Sequence, residues 1–201
     1  MKKPVRKDAQ RNRDRLLTVA VAAFTKDANA SLDSIAKTAG VGIGTLYRHF
    51  PTREALIEAA YRNEVDKLGD SAAELLETHA PDDALGLLME RFIDYMSIKR
   101  GMAEALRAVV AAGGDPRNYS RARLTEAVSL ILQAGKDAGV LRADVEATDV
   151  LSMSGAFLNL GDNPEQARRL AAILVDGLRY RSGAATPKLT KKQKRKRGKK
   201  A

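Results

Sequence analysis

Residues 32–56 read LDSIAKTAGVGIGTLYRHFPTREAL. Leu32, Ile35, Ala36 and Ala39 recur at i, i+3, i+4 and i+7, which is one face of a helix. Gly40 follows at once, where a helix ends most cheaply in the left-handed conformation that glycine tolerates. Apolar periodicity resumes at Ile43, Leu46 and Phe50. Pro51 stops this second helix, because its ring disfavours helical geometry in the residue before it. The Thr52 hydroxyl is placed to cap a third helix. Two short helices joined by a tight glycine turn make a helix-turn-helix, whose second helix can enter the DNA major groove.

Working outward, GTLYRHF at Gly44–Phe50 is preceded by SIAKTAGV at Ser34–Val41 and followed by PTREAL at Pro51–Leu56. Together these words closely resemble the N-terminal domain of the TetR family of transcriptional repressors. The resemblance runs from about Asp14 to Tyr61, roughly a quarter of the 201 residues. It implies a recognition helix at about Ile43 to Phe50, with Leu46 and Phe50 turned to the core. Gly44, Thr45, Tyr47, Arg48 and His49 would then face DNA. The chemistry suits that role. Arg48 can fork onto the O6 and N7 acceptors of guanine or grip a phosphate. The Thr45 and Tyr47 hydroxyls can reach phosphate oxygens and hold the docking register. Gly44 permits close backbone approach. Arg53 stands where the family often has lysine, at the start of the next helix, and is expected to hold a phosphate there. Lys37, on the outer face of the first short helix, is a weaker DNA-binding candidate. Gly42 stands where the family often has serine or alanine, so no side-chain contact is available at that position. The duller readings are a packed Tyr47 ring, an idle Arg48 charge and a structural His49.

The rest of the chain is also patterned as helix, with no sustained two-residue alternation. A helix at about Gln10 to Lys26 carries Leu16, Leu17, Ala20, Val21 and Phe24 inside and completes a three-helix head. A long helix follows from about Thr52 to Leu76. Pro81, Asp82 and Asp83 open another, which Lys99, Arg100 and Gly101 close. Met102 to Val110 forms a short helix. Asp115-Pro116 reads as loop, and a helix is expected from about Tyr119 to Ala138. The last two fall at about Ala147 to Gly161 and Pro164 to Tyr180. Asn163 and Gln166 are placed to form a capping box for the second of these. The expected fold is all-α: a TetR-type helix-turn-helix DNA-binding domain over residues 10–55, a helical effector-binding and dimerisation domain over 56–181, and a basic disordered tail over 182–201.

Charge is unevenly spread. The formal net charge is +10. Met1–Arg15 holds seven Lys or Arg and two Asp, a net +5, and Gly183–Ala201 holds nine Lys or Arg and no acid, a net +9. The remaining middle is mildly acidic at −4. Basic ends favour nucleic acid without selecting a sequence. An alternative function is therefore sequence-tolerant architectural binding through the tail; the plainest reading of the tail is a solvated charge run.

Hydrophobic residues make up 44% and charged residues 30% of the chain, ordinary values for a globular protein. Cysteine is absent, so neither a disulfide framework nor a thiolate metal site is possible. No apolar run approaches the roughly 20 residues that cross a bilayer, and the N-terminus lacks the apolar stretch of a signal peptide. A cytoplasmic protein with no membrane partner is expected. Catalysis finds little footing. His49 and His79 are far apart, and no phosphate-binding glycine loop or metal-spaced His/Glu pair occurs. No enzyme activity, cofactor or metal is expected.

By its resemblance, the C-terminal body holds an effector cavity and a dimer interface. Phe92, Tyr95, Met96, Met102 and Phe157 are the candidate ligand-binding residues, since methionine and aromatic side chains adapt to apolar ligands. Ordinary core packing competes with that reading at each of them. The last two helices resemble the pair that builds a four-helix dimer interface, and Ser154, Gly155, Ala167 and Ala171 are small enough for close approach. The functional expectation is a DNA-binding transcriptional regulator of the repressor kind, released by an unknown small-molecule effector, binding a palindromic double-stranded operator as a homodimer.

Overall fold

The computed structural model describes residues 4–155 and 163–179, with side chains from residue 8 onward. The basic tail, Phe157 and the second half of the helix expected at 147–161 lie outside the described residues. Nine helices occur among the described residues, and extended pairing there is limited to an isolated bridge between Leu141 and Arg179.

The head is built from α1 (Pro4–Lys26), α2 (Leu32–Thr38) and α3 (Ile43–His49). α1 begins six residues before the expected Gln10. Its first turns have no apolar stripe to announce them. An ion pair at helical spacing, Arg11 to Asp8 at 3.8 Å, ties that extension to the expected helix instead. Ser31 caps α2 by accepting the Ser34 N–H. Gly40 adopts φ +69°, the left-handed turn residue between α2 and α3. The Val41 N–H closes that turn onto the Ala36 carbonyl at 3.0 Å.

α4 (Arg53–Thr78) is capped by Thr52, which accepts the Ala55 N–H at 3.0 Å. Its 26 residues span about 39 Å. It packs against α1 in the head and against α5 (Pro81–Gly101), α6 (Ala103–Ala111) and α7 (Pro116–Asp137) in the body. α7 starts three residues earlier than its apolar spacing predicts. Asp115-Pro116 is no loop: Asp115 caps the helix by accepting the Asn118 N–H, and Pro116 occupies the first turn, where its missing N–H costs nothing.

α8 (Ala147–Ser154) and α9 (Pro164–Leu178) complete the body. α8 carries a reciprocal cap that the sequence pattern did not reveal, with Glu146 and Asp149 each bonding the other's backbone N–H. Asn163 caps α9 as expected, but the Gln166 side chain meets the Asn163 side chain instead of its backbone, so the box is incomplete. α9 lies against α5, and Arg179 at its end pairs with Asp82 and Asp83 at the start of α5, both at 3.0 Å.

One contiguous apolar core runs from Leu16, Phe24, Ile35 and Leu46 in the head to Leu85, Met89, Ile131 and Leu174 in the body. Where the two parts meet, Gly101 ends α5 against the end of α1. A Cβ built there would lie 3.2 Å from the Thr25 carbonyl oxygen and press on the Thr25 side chain, so glycine is needed for close approach.

Candidate nucleic-acid interface and effector cavity

α3 is held by Leu46 and Phe50, both buried as expected. On its open side Tyr47 is 49% exposed, with Gly44 and Arg48 beside it at the surface. Thr45 and His49 are half-buried at the edges of that face, and the His49 ring leans on Phe50 at 6.1 Å. Ile43, which opens the apolar periodicity of this helix, is 37% exposed. Nothing lies within 4 Å of where a Cβ would stand on Gly42 or Gly44. Packing therefore does not demand these glycines, and the backbone there is open to a partner.

Arg48 is folded along its own helix. Its Nη2 donates to the Thr45 Oγ1 at 2.9 Å and its Nε to the Gly44 carbonyl at 3.4 Å. Both bonds are solvent-exposed and weak to lose, so the guanidinium is available for exchange onto a base or phosphate. Lys37 is exposed in the last turn of α2. One basic residue was missed from this neighbourhood: Arg15 of α1 reaches the Gly40 turn, its Nη1 3.8 Å from that glycine's Cβ position. The only sequence signal for it was the general basicity of the first fifteen residues.

Arg53, expected to hold a phosphate, is turned inward in this structure. Its guanidinium points back into the head, donating to the Ala30 carbonyl at 2.8 Å and to the Ala28 carbonyl, and it stacks over the Phe24 ring at 5.0 Å. The carbonyls left open after α1 offer it a two-pronged acceptor, which outcompetes an outward pose. In this arrangement it ties the α1–α2 loop to α4.

In the body, a cavity of about 410 Å³ opens between α5, α7 and α8. Phe92, Tyr95 and Met96 line it, as expected. Met102 does not. It is fully buried where α5 turns into α6 and belongs to the core. Leu124 and Leu151 extend the apolar wall, while Lys99, Arg117 and Arg121 bring positive charge to it. No apolar stripe marks these three, so periodicity could not select them. The Tyr95 hydroxyl sits 2.6 Å from the Tyr61 hydroxyl of α4. Burial, then the neighbouring Tyr61, push the Tyr95 pKa well above the usual phenol range. Tyr119 of α7 donates to Asp66 of α4 at 2.6 Å, a bond that raises its own pKa, and Arg123 of α7 pairs with Asp66 and Asp70. Among the described residues no group of three or more His, Asp or Glu side chains is placed to hold a metal.

The outer faces of α8 and α9 leave a second, mainly apolar groove of about 400 Å³, lined by residues including Val145, Met153, Leu170 and Ile173. Met153 is 59% and Ile173 67% exposed. The small residues expected at a dimer interface point the other way: Ser154, Ala167 and Ala171 are buried in this chain's own core, and Gly155 lines the α5–α7–α8 cavity.

Comparison with known proteins agrees with this architecture. Residues 16–60 match the family described as bacterial regulatory proteins, tetR family, and residues 80–180 match the transcriptional regulator SbtR-like C-terminal domain. The TetR transcriptional regulator SCO0520 from Streptomyces coelicolor is similar at 49% identity and TM-score 0.76, over 83% of this chain and 98% of that one. A TetR transcription regulatory protein from Mycobacterium vanbaalenii is similar at 32% identity and TM-score 0.72, over 88% and 100%. An HTH-type transcriptional regulator of Staphylococcus aureus (strain USA300) is 39% identical over 64 residues, which is 31% of this chain and 35% of that regulator's length. The chain belongs to the TetR family of transcriptional regulators, non-enzymatic proteins that act by binding DNA. No described helix is long and apolar enough to cross a membrane.

Proposed function

We propose that this regulator is a repressor that binds a palindromic operator as a homodimer in the bacterial cytoplasm and leaves it when a small molecule occupies the body. The observation that carries the DNA contact is the open face of α3. There Tyr47 and Arg48 are exposed around a glycine whose bareness packing does not require. Gly44, Thr45, Tyr47 and Arg48 form the reading surface, with His49 and Lys37 at its edges. Arg53 supports the head from behind. The head corresponds to about residues 10–55 and the effector and dimerisation body to 56–181, with α4 common to both.

A homodimer accounts for the exposed apolar face of α8 and α9, since Met153 and Ile173 gain by being covered. TetR regulators typically act as dimers, and two-fold symmetry in the protein then favours a palindrome in the operator. The cavity between α5, α7 and α8 is the effector site. Release requires only that the effector bind the DNA-incompetent arrangement more tightly than the competent one.

Selection of bound sequences from a random DNA pool at physiological salt tests the reading directly. A palindromic consensus is expected. Arg48→Ala should weaken binding to it by about 1–3 kcal/mol and relax specificity at one base position in each half-site, with dimer stability unchanged. Recovery of no consensus, or unchanged affinity in both Arg48→Ala and Tyr47→Ala, would overturn it.

A further inference from the structure

The cavity between α5, α7 and α8 has an unequal wall. Phe92, Met96, Leu124 and Leu151 make one part apolar. Among the described residues, the charged side chains on its lining are Lys99, Arg117 and Arg121, with no carboxylate beside them. None of the three forms a salt bridge among the described residues. The nearby acids are committed elsewhere: Asp115 to the Asn118 N–H, Glu126 to Arg123, and Asp149 to the Glu146 N–H. Arg117 and Arg121 stand one turn apart on the same face of α7, and Lys99 lines the same cavity from α5, its Nζ 5.9 Å from the Tyr95 ring. Three like charges around one concavity repel each other, and low-dielectric walls strengthen their joint field.

Resting on the reading of this cavity as the effector site, we propose that its ligand is an amphipathic anion: an apolar body seated against Phe92, Met96 and Leu124, and an acid headgroup held by Arg117, Arg121 and Lys99. A cation is repelled by this lining. A neutral apolar molecule fills the wall but leaves the charges uncompensated. A carboxylate or phosphate satisfies both parts. The volume, about 410 Å³, falls in the range of roughly 300–1,000 Å³ typical of small-molecule sites.

Calorimetric titration of the full-length protein with four ten-carbon probes tests the assignment: decanoate, decyl phosphate, decanol and decylamine, all below their micelle concentrations. At least one of the two acids should bind ten-fold or more tighter than decanol, with decylamine weakest, and the preferred acid identifies the headgroup. The Arg117→Gln/Arg121→Gln double variant should bring the acids down to the affinity of decanol and leave decanol unchanged. These are surface positions, so folding should be retained. Leu151→Trp, and separately Thr148→Trp, should block all probes by filling the cavity. Equal binding of acids and decanol in the wild type, or acid binding unchanged by the double variant, would overturn the anion assignment while leaving the cavity an effector site. Binding of no probe, or binding indifferent to both tryptophan variants, would overturn the effector reading of the cavity as well.

Discussion

Replacing Arg53 separates two roles that sequence alone does not distinguish. If its guanidinium serves the head, Arg53→Ala removes two charge-assisted hydrogen bonds, to the carbonyls of Ala28 and Ala30, and a stacking contact on Phe24. Bonds to charged groups contribute about 1.5–3 kcal/mol when buried. Here the site is part-exposed and water can replace the donor at both carbonyls, so about 1 kcal/mol each is the appropriate scale. The cation–π contact adds about 0.5–1 kcal/mol. The expected loss is about 2–3 kcal/mol of stability. Arg53→Lys keeps the charge but lacks the planar fork, so it should lose about half as much.

Urea denaturation measures that loss, and operator titration over a range of salt concentrations supplies the second readout. A phosphate contact removed from each protomer of a dimer would reduce the slope of log affinity against log salt by about 1.8, at roughly 0.9 per phosphate. The inward pose predicts an unchanged slope with lower stability, and a lysine variant that restores only about half of the lost stability. An alanine variant with wild-type stability and a slope shallower by about 1.8, restored by lysine, would refute the inward role and return Arg53 to the DNA contact.

Two other perturbations follow from the body. Ile173→Glu places a charge on an exposed apolar residue, so it should leave the helical content of the protomer intact while sedimentation shows monomers and operator affinity falls by at least ten-fold; a variant that stays dimeric moves the interface elsewhere. For Tyr95 the sign is set by a raised pKa: the folded chain keeps this proton after the unfolded chain has released it, so the contribution is fully present below about pH 10 and is lost as pH rises above it. Denaturation of the wild type and of Tyr95→Phe between pH 8 and pH 11 should show a steeper alkaline decline in the wild type, and parallel curves would mean that Tyr95 is not buried as described.

Helix order was legible because each helix carries a 3.6-residue apolar stripe and most have a readable cap or stop, such as Thr52 before α4 and Asn163 before α9. The head was legible down to the inward turn of Leu46 and Phe50 and the exposure of Tyr47 and Arg48. What escaped has common physical causes. A stripe says which face of a helix is apolar, but not whether the chain itself covers it. Ala171 is buried within the protomer, while Ile173, two residues on, is left open. Met102 looks like a cavity residue by type and is core by position. Long cations are harder still. The direction of Arg53 depends on carbonyls more than twenty residues away in sequence, and Arg117, Arg121 and Lys99 converge only because α5 and α7 pack together. The start of α1 and the Glu146–Asp149 cap rest on polar pairs that hydrophobic periodicity cannot register.

On the proposed effector reading, α7 is the link between a ligand in the body and the head. Arg117 and Arg121 lie on one face of this helix, toward the cavity, and Tyr119 and Arg123 are each two residues on, about 200° around the axis. That second face grips α4 through Asp66 and Asp70. The same α4 meets the cavity wall again through the Tyr61–Tyr95 hydroxyl pair, and it carries Arg53 eight residues before Tyr61, about 12 Å along the axis. On the proposed effector reading, a headgroup that bridges Lys99 of α5 to Arg117 and Arg121 of α7 would pull on a helix whose opposite face is bonded to α4. The buried hydroxyl pair resists any independent slide of α4 past α5, because parting it leaves two phenol groups unsatisfied away from water. On that reading the movement left open is α4 pivoting with its tethered head, which would change the separation of two recognition helices in the proposed dimer. A shift in that separation is sufficient to break simultaneous docking on two half-sites, since their spacing along DNA is fixed by the helical repeat.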